Sequence, residues 1–320
     1  MQITSFPNKF YQSFPYQSRL KLGERIYNAF NNSQYKKAKA EIKKSRDLAD
    51  HPGLPYLEAG NPNHPSILFL HGFGDTKESY LRQAMAFSKD FHVIVPDMPG
   101  FGPNPRLQSL TYNSSNMSDI VLDFINDIKL KDFHLAGNSM GGALSTFLTL
   151  KAPEKVKSLT LIDTAGFYFD HVHSVLDEFL AGNNLFLVDE PKDYDALLKR
   201  VFHKTPFVPK PVFEFLYEKI HQEKKWYEKL VYDLTHGLES VEHGHKNGLF
   251  LNHHIKDLSM PIQMIWGDQD SLFPLGTAEE IKKLKSDIDL KIIKNCGHAP
   301  HYERTKEFNK LLKEFCHKNS

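Results

Sequence analysis

A short apolar run, Phe133-His134-Leu135-Ala136, enters Gly137-Asn138-Ser139-Met140-Gly141-Gly142 and leaves as Ala143-Leu144-Ser145-Thr146-Phe147-Leu148-Thr149-Leu150, with Pro153 just beyond. The first run has strand length; the second has helix length and stops near a proline, so the segment reads as strand, sharp turn, helix. Glycines around Ser139 let strand and helix backbones approach closely. A G-x-S-x-G turn of this kind projects its serine hydroxyl above a sheet, at the positive end of the helix. A Gly-rich turn carrying an ordinary surface serine fits the same five residues, so the rest of the chain has to discriminate.

A nucleophilic serine needs a base to take its proton, an acid to orient that base, and donors for the developing oxyanion. Upstream, Ser66-Ile67-Leu68-Phe69-Leu70 has a buried-strand pattern and ends in His71-Gly72-Phe73-Gly74. The glycines there allow the Phe73 N–H to point into a site, where together with the Met140 N–H it forms the expected oxyanion hole. Downstream, Ile262-Gln263-Met264-Ile265-Trp266 reads as a strand followed by Gly267-Asp268-Gln269-Asp270, and one of these two aspartates is the expected acid. Leu290-Lys291-Ile292-Ile293-Lys294 is another strand, and its exit, Asn295-Cys296-Gly297-His298-Ala299-Pro300, presents His298 as the base. Ser, then Asp, then His, each just past a strand, is the order that an open parallel sheet with its site at the strand ends produces. Asp97 and Asp163 also end apolar runs, Val93-Ile94-Val95-Pro96 and Leu159-Thr160-Leu161-Ile162. Both read as carboxylates bonded to loop backbone, since buried carboxylates need such partners, with Asp163 held in reserve as the acid.

At 320 residues without a flexible linker, the chain reads as one sheet core with an insertion. Residues 51–166 alternate strands with helices, such as Ser118 to Leu130 with its Ile120, Phe124 and Ile128 stripe, and residues 256–320 resume the pattern and close with a helix over Glu303 to Phe315. Between them, residues 167–255 read as helices punctuated by Pro206, Pro209 and Pro211, a helical cap. Its apolar residues, among them Val175, Phe179, Phe186, Phe202, Phe207, Phe213, Trp226 and Tyr227, exceed what a small helical layer needs for its own core, so some should line an apolar pocket. Residues 1–50 form an N-terminal extension expected to be helical. Phe6, Phe10, Tyr11, Phe14 and Tyr16 precede a helix-like Leu20, Ile26, Tyr27, Phe30 spacing, and Lys36, Lys37, Lys39, Lys43 and Lys44 make Tyr35 to Lys44 basic. A helix packed on the core with a solvated basic face is the plainer reading; weak contact of these aromatics and lysines with a membrane surface is the sharper one. The extension lacks the ~20 apolar residues of a spanning helix and the roughly 7 to 15 of a signal-peptide core, which makes a cytoplasmic protein the expectation.

With 40 basic and 39 acidic residues there is no field to recruit nucleic acid, and no nucleic-acid partner is expected. Two cysteines, Cys296 and Cys316, cannot make a disulfide framework. His243-Gly244-His245 and His253-His254 lack a completing cysteine or H-E-x-x-H pattern, so a solvated loop is expected and no metal. The glycines at 72, 74, 100 and 102 follow no nucleotide-binding pattern, and no cofactor is expected.

His71-Gly-Phe-Gly74, Asp97-Met-Pro-Gly-Phe-Gly102, Gly137-Asn-Ser-Met-Gly-Gly142, Trp266-Gly-Asp-Gln-Asp270 and Gly297-His-Ala-Pro300 together resemble the α/β-hydrolase superfamily from about Asp50 to the C-terminus. Within it the combination looks most like bacterial family V true lipases and monoacylglycerol lipases, and the segment from Glu178 to Pro209 is similar to their lid region. The resemblance implies an α/β-hydrolase fold, with a mostly parallel central sheet flanked by helices and a helical cap inserted after strand 6. It implies Asp270 as the acid of a Ser139–His298–Asp270 triad, a structural role for His71 beside the oxyanion loop, and a small-molecule ester or lipid as substrate. A carbon–carbon bond hydrolase of the meta-cleavage type shares the Gly-Asn-Ser-Met-Gly-Gly turn, but usually has more glycine where Phe73 stands and an aromatic where Ala299 follows the histidine. A non-catalytic binding protein on the same scaffold is the remaining alternative.

Overall fold

A computed structural model describes residues 11–320, so Phe6 and Phe10 lie outside the described residues. Helix α1 (Tyr16–Ala38) leads into strands β1 (Glu41–Lys44), β2 (Pro55–Ala59) and β3 (Ser66–Leu70). Then come α2 (Leu81–Phe87), β4 (His92–Pro96), α3 (Ser114–Asp127), β5 (Phe133–Asn138), α4 (Met140–Lys151) and β6 (Val156–Ile162). Helices α5 (Val175–Leu180), α6 (Pro191–Val201), α7 (Lys210–Gln222), α8 (Lys224–Leu234) and α9 (Val241–Lys246) follow with no strand between them. The pattern resumes with β7 (Ile262–Gly267), α10 (Leu275–Leu284), β8 (Asp289–Ile293), α11 (Pro300–Glu303) and α12 (Thr305–Lys318).

The strands form one eight-stranded sheet in the order β1-β2-β4-β3-β5-β6-β7-β8. From β4 to β8 neighbours run parallel; β1 and β2 are antiparallel to their neighbours. The order reverses at β3, which lies between β4 and β5. In open sheets of this kind the crevice beyond the carboxyl ends of the strands at such a reversal is where ligands bind.

β4, β5 and β7 are buried along their whole length, as strands covered on both faces must be. Side chains alternate between two apolar layers. Leu68, Leu70, Leu135, Leu159, Leu161 and Met264 share one layer with α3 residues Val121 and Phe124. Ile67, Phe69, Ala136, Ile162 and Ile265 share the other with Phe87 of α2 and Phe308 of α12. Helix α3 begins at Ser114, four residues before the expected start, because the Asn113 side chain accepts the Asn116 N–H at 2.8 Å and satisfies an otherwise orphaned donor.

The N-terminal region departs from an all-helical reading. Lys39 ends α1 in a left-handed conformation, and residues 41–44 pair with β2 as an edge strand, so Lys43 and Lys44 belong to the sheet and Lys43 bonds Glu58. Helix α1 lies against α7. A Cβ on Gly23 would fall 1.9 Å from the Pro211 carbonyl oxygen, so the helices touch at a position only glycine can occupy. Tyr11 and Tyr16 donate their hydroxyls to Glu214 at 2.8 Å and Glu218 at 2.7 Å, both on α7.

Candidate active site

Ser139 sits between β5 and α4 with φ 56° and ψ −121°, a conformation that L-residues rarely adopt. The turn persists because its surroundings over-determine it. The Ser139 N–H donates to the Ile162 carbonyl at 2.9 Å, and its carbonyl accepts from Gly142 at 2.9 Å and Ala165 at 3.0 Å. A Cβ on Gly137 would lie 2.2 Å from the Gly141 carbonyl oxygen, and one on Gly141 2.2 Å from that of Leu70, which is the packing reason for glycine at both positions. Met140 opens α4, so its N–H has no acceptor within the helix. The loop after β3 passes alongside: a Cβ on Gly72 would come within 3.3 Å of the Ser139 Cβ.

His298 and Asp270 meet at the ends of β8 and β7. The His298 Nδ1 lies 2.8 Å from Asp270 Oδ2, with both side chains buried. Asp270 Oδ1 accepts the N–H groups of Leu272 at 2.8 Å and Phe273 at 3.2 Å. With Nδ1 on that carboxylate, Nε2 is the ring nitrogen that Asp270 does not engage. The histidine loop is anchored on two sides. The His298 carbonyl accepts from the Asn138 side chain at 3.1 Å, which joins it to the residue before Ser139. The His298 N–H donates to the Val201 carbonyl at 2.8 Å, which joins it to the end of α6. Glu303 strengthens the second link by accepting from Gly297 at 2.8 Å and from His203 and Lys204 at 3.2 Å.

The other candidates separate. Asp268 faces the Cys296 N–H at 3.4 Å and Lys294 at 3.7 Å, so it does not share the His298 contact. Asp97 accepts from the Lys77 ammonium at 2.7 Å and the Lys77 N–H at 2.9 Å, while the Asn104 side chain bonds three carbonyls of the Asp97–Phe101 loop. His71 is buried between the Gly72 carbonyl, 2.8 Å from Nδ1, and the Met98 N–H, which donates to Nε2 at 2.9 Å. An accepting Nε2 requires a neutral ring, and burial, the main cause, lowers its pKa in agreement. His71 thus braces the loop that carries Phe73. Burial likewise pushes the Cys296 and Cys316 thiols above their usual range, which makes both inert. Among the described residues, the one group of three ligand-type side chains close enough to hold an ion is Asp163, Asp270 and His298; the His243 and His253 segments contribute none.

Ser139, Met140 and Phe73 border one apolar pocket, about 740 Å³ counting the part open to solvent. Of the cap residues picked from the sequence, Val175, Phe179 and Phe186 line it, whereas Trp226 donates to the Gly100 carbonyl at 2.8 Å, the Phe213 ring lies tilted 5.1 Å from that of Tyr194, and Phe207 is 72% exposed. Leu234, Thr235, Leu249, Phe250, Leu272 and Phe273 also line it and carried no recognisable pattern in the sequence. The Phe73 ring lies 4.5 Å, centroid to centroid, from Phe186 and 5.3 Å from Tyr227, so the cap presses directly on the residue after Gly72. A second hollow, bordered by Lys282, Asp289 and Lys318, opens beside the start of β7 and β8, away from these side chains.

Residues 65–305 match the family described as alpha/beta hydrolase fold. The chain is similar to Lipase 3 of Moraxella sp. (strain TA144), 30% identical over 88% of this chain and 87% of that protein. It is also similar to monoacylglycerol lipase ABHD6 of Bos taurus, 28% identical over 81% and 78%. Among solved structures, a membrane phospholipase A described as a bacterial virulence factor superposes with a TM-score of 0.84 at 26% identity, covering 93% of this chain and 92% of that one. A match that spans most of the chain, together with the strand order and the elbow at Ser139, makes this protein a member of the α/β-hydrolase family.

Proposed function

We propose that the protein hydrolyses carboxylic esters, with medium-length acyl esters such as monoacylglycerols as the substrate class, through Ser139, His298 and Asp270. His298 removes the Ser139 proton as the hydroxyl oxygen attacks the ester carbonyl. Asp270 holds the ring in the needed tautomer and stabilises the imidazolium that forms. The N–H groups of Phe73 and Met140 take the oxyanion, the imidazolium protonates the leaving alkoxide, and water then releases the acyl group by the same steps. The observation that carries this reading is the buried 2.8 Å His298–Asp270 contact, taken together with an apolar pocket bordered by Ser139. The pocket supports an acyl occupant, because its walls are almost wholly aliphatic and aromatic. Phe73 and Ala299, where meta-cleavage hydrolases usually carry glycine and an aromatic, favour esters over carbon–carbon bond cleavage.

A panel of p-nitrophenyl esters and monoacylglycerols of rising chain length tests the substrate class. kcat/KM should rise from acetyl to octanoyl by at least about tenfold, since each buried methylene is worth about 0.8 kcal/mol. A preference for acetyl would remove the lipid assignment and leave a small-ester hydrolase.

The outer face of α1 supports a membrane-surface contact as well. Among the described residues no helix is long and apolar enough to cross a membrane, yet Leu22, Ile26 and Phe30 recur every four residues and are 38–49% exposed, flanked by exposed Lys21, Arg25, Lys36 and Lys37. An apolar stripe with basic flanks suits an anionic lipid interface. The protein should co-sediment with phosphatidylglycerol-containing vesicles and lose most of that binding when Leu22, Ile26 and Phe30 are all changed to asparagine. Wild type that stays in the supernatant would exclude the contact.

A further inference from the structure

Asp163 has no part in the reaction as described, yet the sheet order puts it beneath the reacting groups. Ser139 leaves β5 and Asp270 follows β7; β6 runs between these strands, and its next residue is Asp163. Carboxyl oxygens of Asp163 and Asp270 and a ring nitrogen of His298 all lie within 4.8 Å of one another, and each of the three residues is buried. Asp163 itself is inaccessible to solvent.

The two carboxyls are served unequally. Asp270 accepts three N–H donors, from Leu272, Phe273 and His298. Asp163 accepts one, the Gly267 N–H at 2.9 Å on Oδ1, and its buried Oδ2 meets no donor. Two ionised carboxylates this close, away from water, repel strongly, and the arrangement is relieved when one of them keeps a proton. The proton belongs on the carboxyl with fewer donors, and its O–H then has an acceptor in its neighbour.

We infer that Asp163 is a proton-bearing positioning residue, a neutral carboxylic acid whose O–H donates to the Asp270 carboxylate and so fixes the place and tempers the basicity of the group that orients His298. Burial, chiefly, and then the charge and hydrogen bond of Asp270 hold the Asp163 carboxyl well above the usual carboxylate range, with Glu303 adding in the same sense. The remaining groups around it, the Cys296 thiol and the His298 ring, supply no competing positive charge while the ring is neutral. Asp163 is also held at φ +41°, with its N–H on the Ile265 carbonyl at 3.2 Å, so its carboxyl is delivered from a constrained backbone. The inference rests on the proposed triad for its catalytic meaning, but the protonation state can be read without turnover.

The test combines infrared spectroscopy with kinetics. At pH 8 the wild-type protein should show a protonated carboxylic acid C=O band that vanishes in Asp163→Asn and persists in Ser139→Ala. Asparagine offers an acceptor to Gly267 and a donor to Asp270, so Asp163→Asn should keep kcat/KM within about threefold, with an unmoved acid limb of the pH profile. Asp163→Ala removes the donor, leaves Asp270 more basic, and should raise the acid limb by about one pH unit while lowering kcat on the order of tenfold at little cost in KM. No protonated carboxyl band in wild type at pH 8 would overturn the inference without reference to any variant. So would a loss of about three orders of magnitude in Asp163→Asn, which would mean that an ionised carboxylate is needed at 163. Failure of the triad reading looks different: ester hydrolysis would survive Ser139→Ala while the infrared band stayed.

Discussion

Ser139→Ala should lower kcat for ester hydrolysis by about 10³- to 10⁶-fold, while the unfolding free energy stays within about 1 kcal/mol of wild type. The activity loss follows from removing the proposed nucleophile; the residual rate reflects binding and the proposed oxyanion donors, which alanine leaves in place. The fold should tolerate the change, because what holds the turn is backbone: the bonds to Ile162, Gly142 and Ala165, and the glycines at 137 and 141. Steady-state kinetics on p-nitrophenyl octanoate, paired with a denaturant titration, provide both readings. Labelling by a fluorophosphonate should be complete in wild type and absent in the variant. Near-wild-type turnover by Ser139→Ala would reject the triad, and wild type that resists the label would favour a binding protein on this scaffold.

The second large effect is loss of stability in acid through His301. Its ring is buried, stacked 4.9 Å from the Tyr80 ring, and its Nδ1 has no partner. Burial, the largest cause, followed by the nearby His298 and Arg82, lowers its pKa to about 3. The unfolded chain binds a proton at this residue near pH 6.5, while the folded protein does not until about pH 3. Stability from this group is therefore complete above pH 6.5 and falls as the pH drops toward 3, by about 1.4 kcal/mol per unit. His134, lowered to about 4 mainly by burial, works in the same sense, whereas a raised Asp163 works in the opposite one. A difference measurement isolates His301. His301→Phe keeps the ring on Tyr80 and removes the titration, so its unfolding free energy between pH 6 and pH 4 should fall less steeply than wild type by about 1.4 kcal/mol per unit. Parallel pH dependences for the two proteins would show that the ring does not titrate in this way.

Much of the candidate site was legible because each proposed member sits just after a run with strand composition. Ser139, His298 and the oxyanion candidates Phe73 and Met140 could be named from their glycines and neighbours alone. The choice between Asp268 and Asp270 could not, since both follow the same strand; it depends on how the turn after Gly267 aims each carboxylate, and only Asp270 meets the His298 ring. The pocket was half visible. Val175, Phe179 and Phe186 stood out as apolar surplus, but Leu249, Leu272 and Phe273 come from separate segments whose convergence no local pattern records. The N-terminal lysines illustrate a different limit. Lys43 and Lys44 follow a helix and look like its continuation, but pairing with β2 places them on a strand, because backbone donors and acceptors at a sheet edge outweigh a weak local preference.

Sequence alone determined the alternation of strand and helix, the strained turn at Ser139 and the residue types available at each strand end, because these follow from apolar periodicity and from glycine's freedom over distances of a few residues. Tertiary structure decided which carboxylate reaches His298, that β6 brings Asp163 under the same pair, that Phe186 rests on Phe73, and that α1 lies on α7 through Gly23. Those contacts join residues far apart in the chain, and their geometry is set by sheet order and close packing, which no single segment encodes.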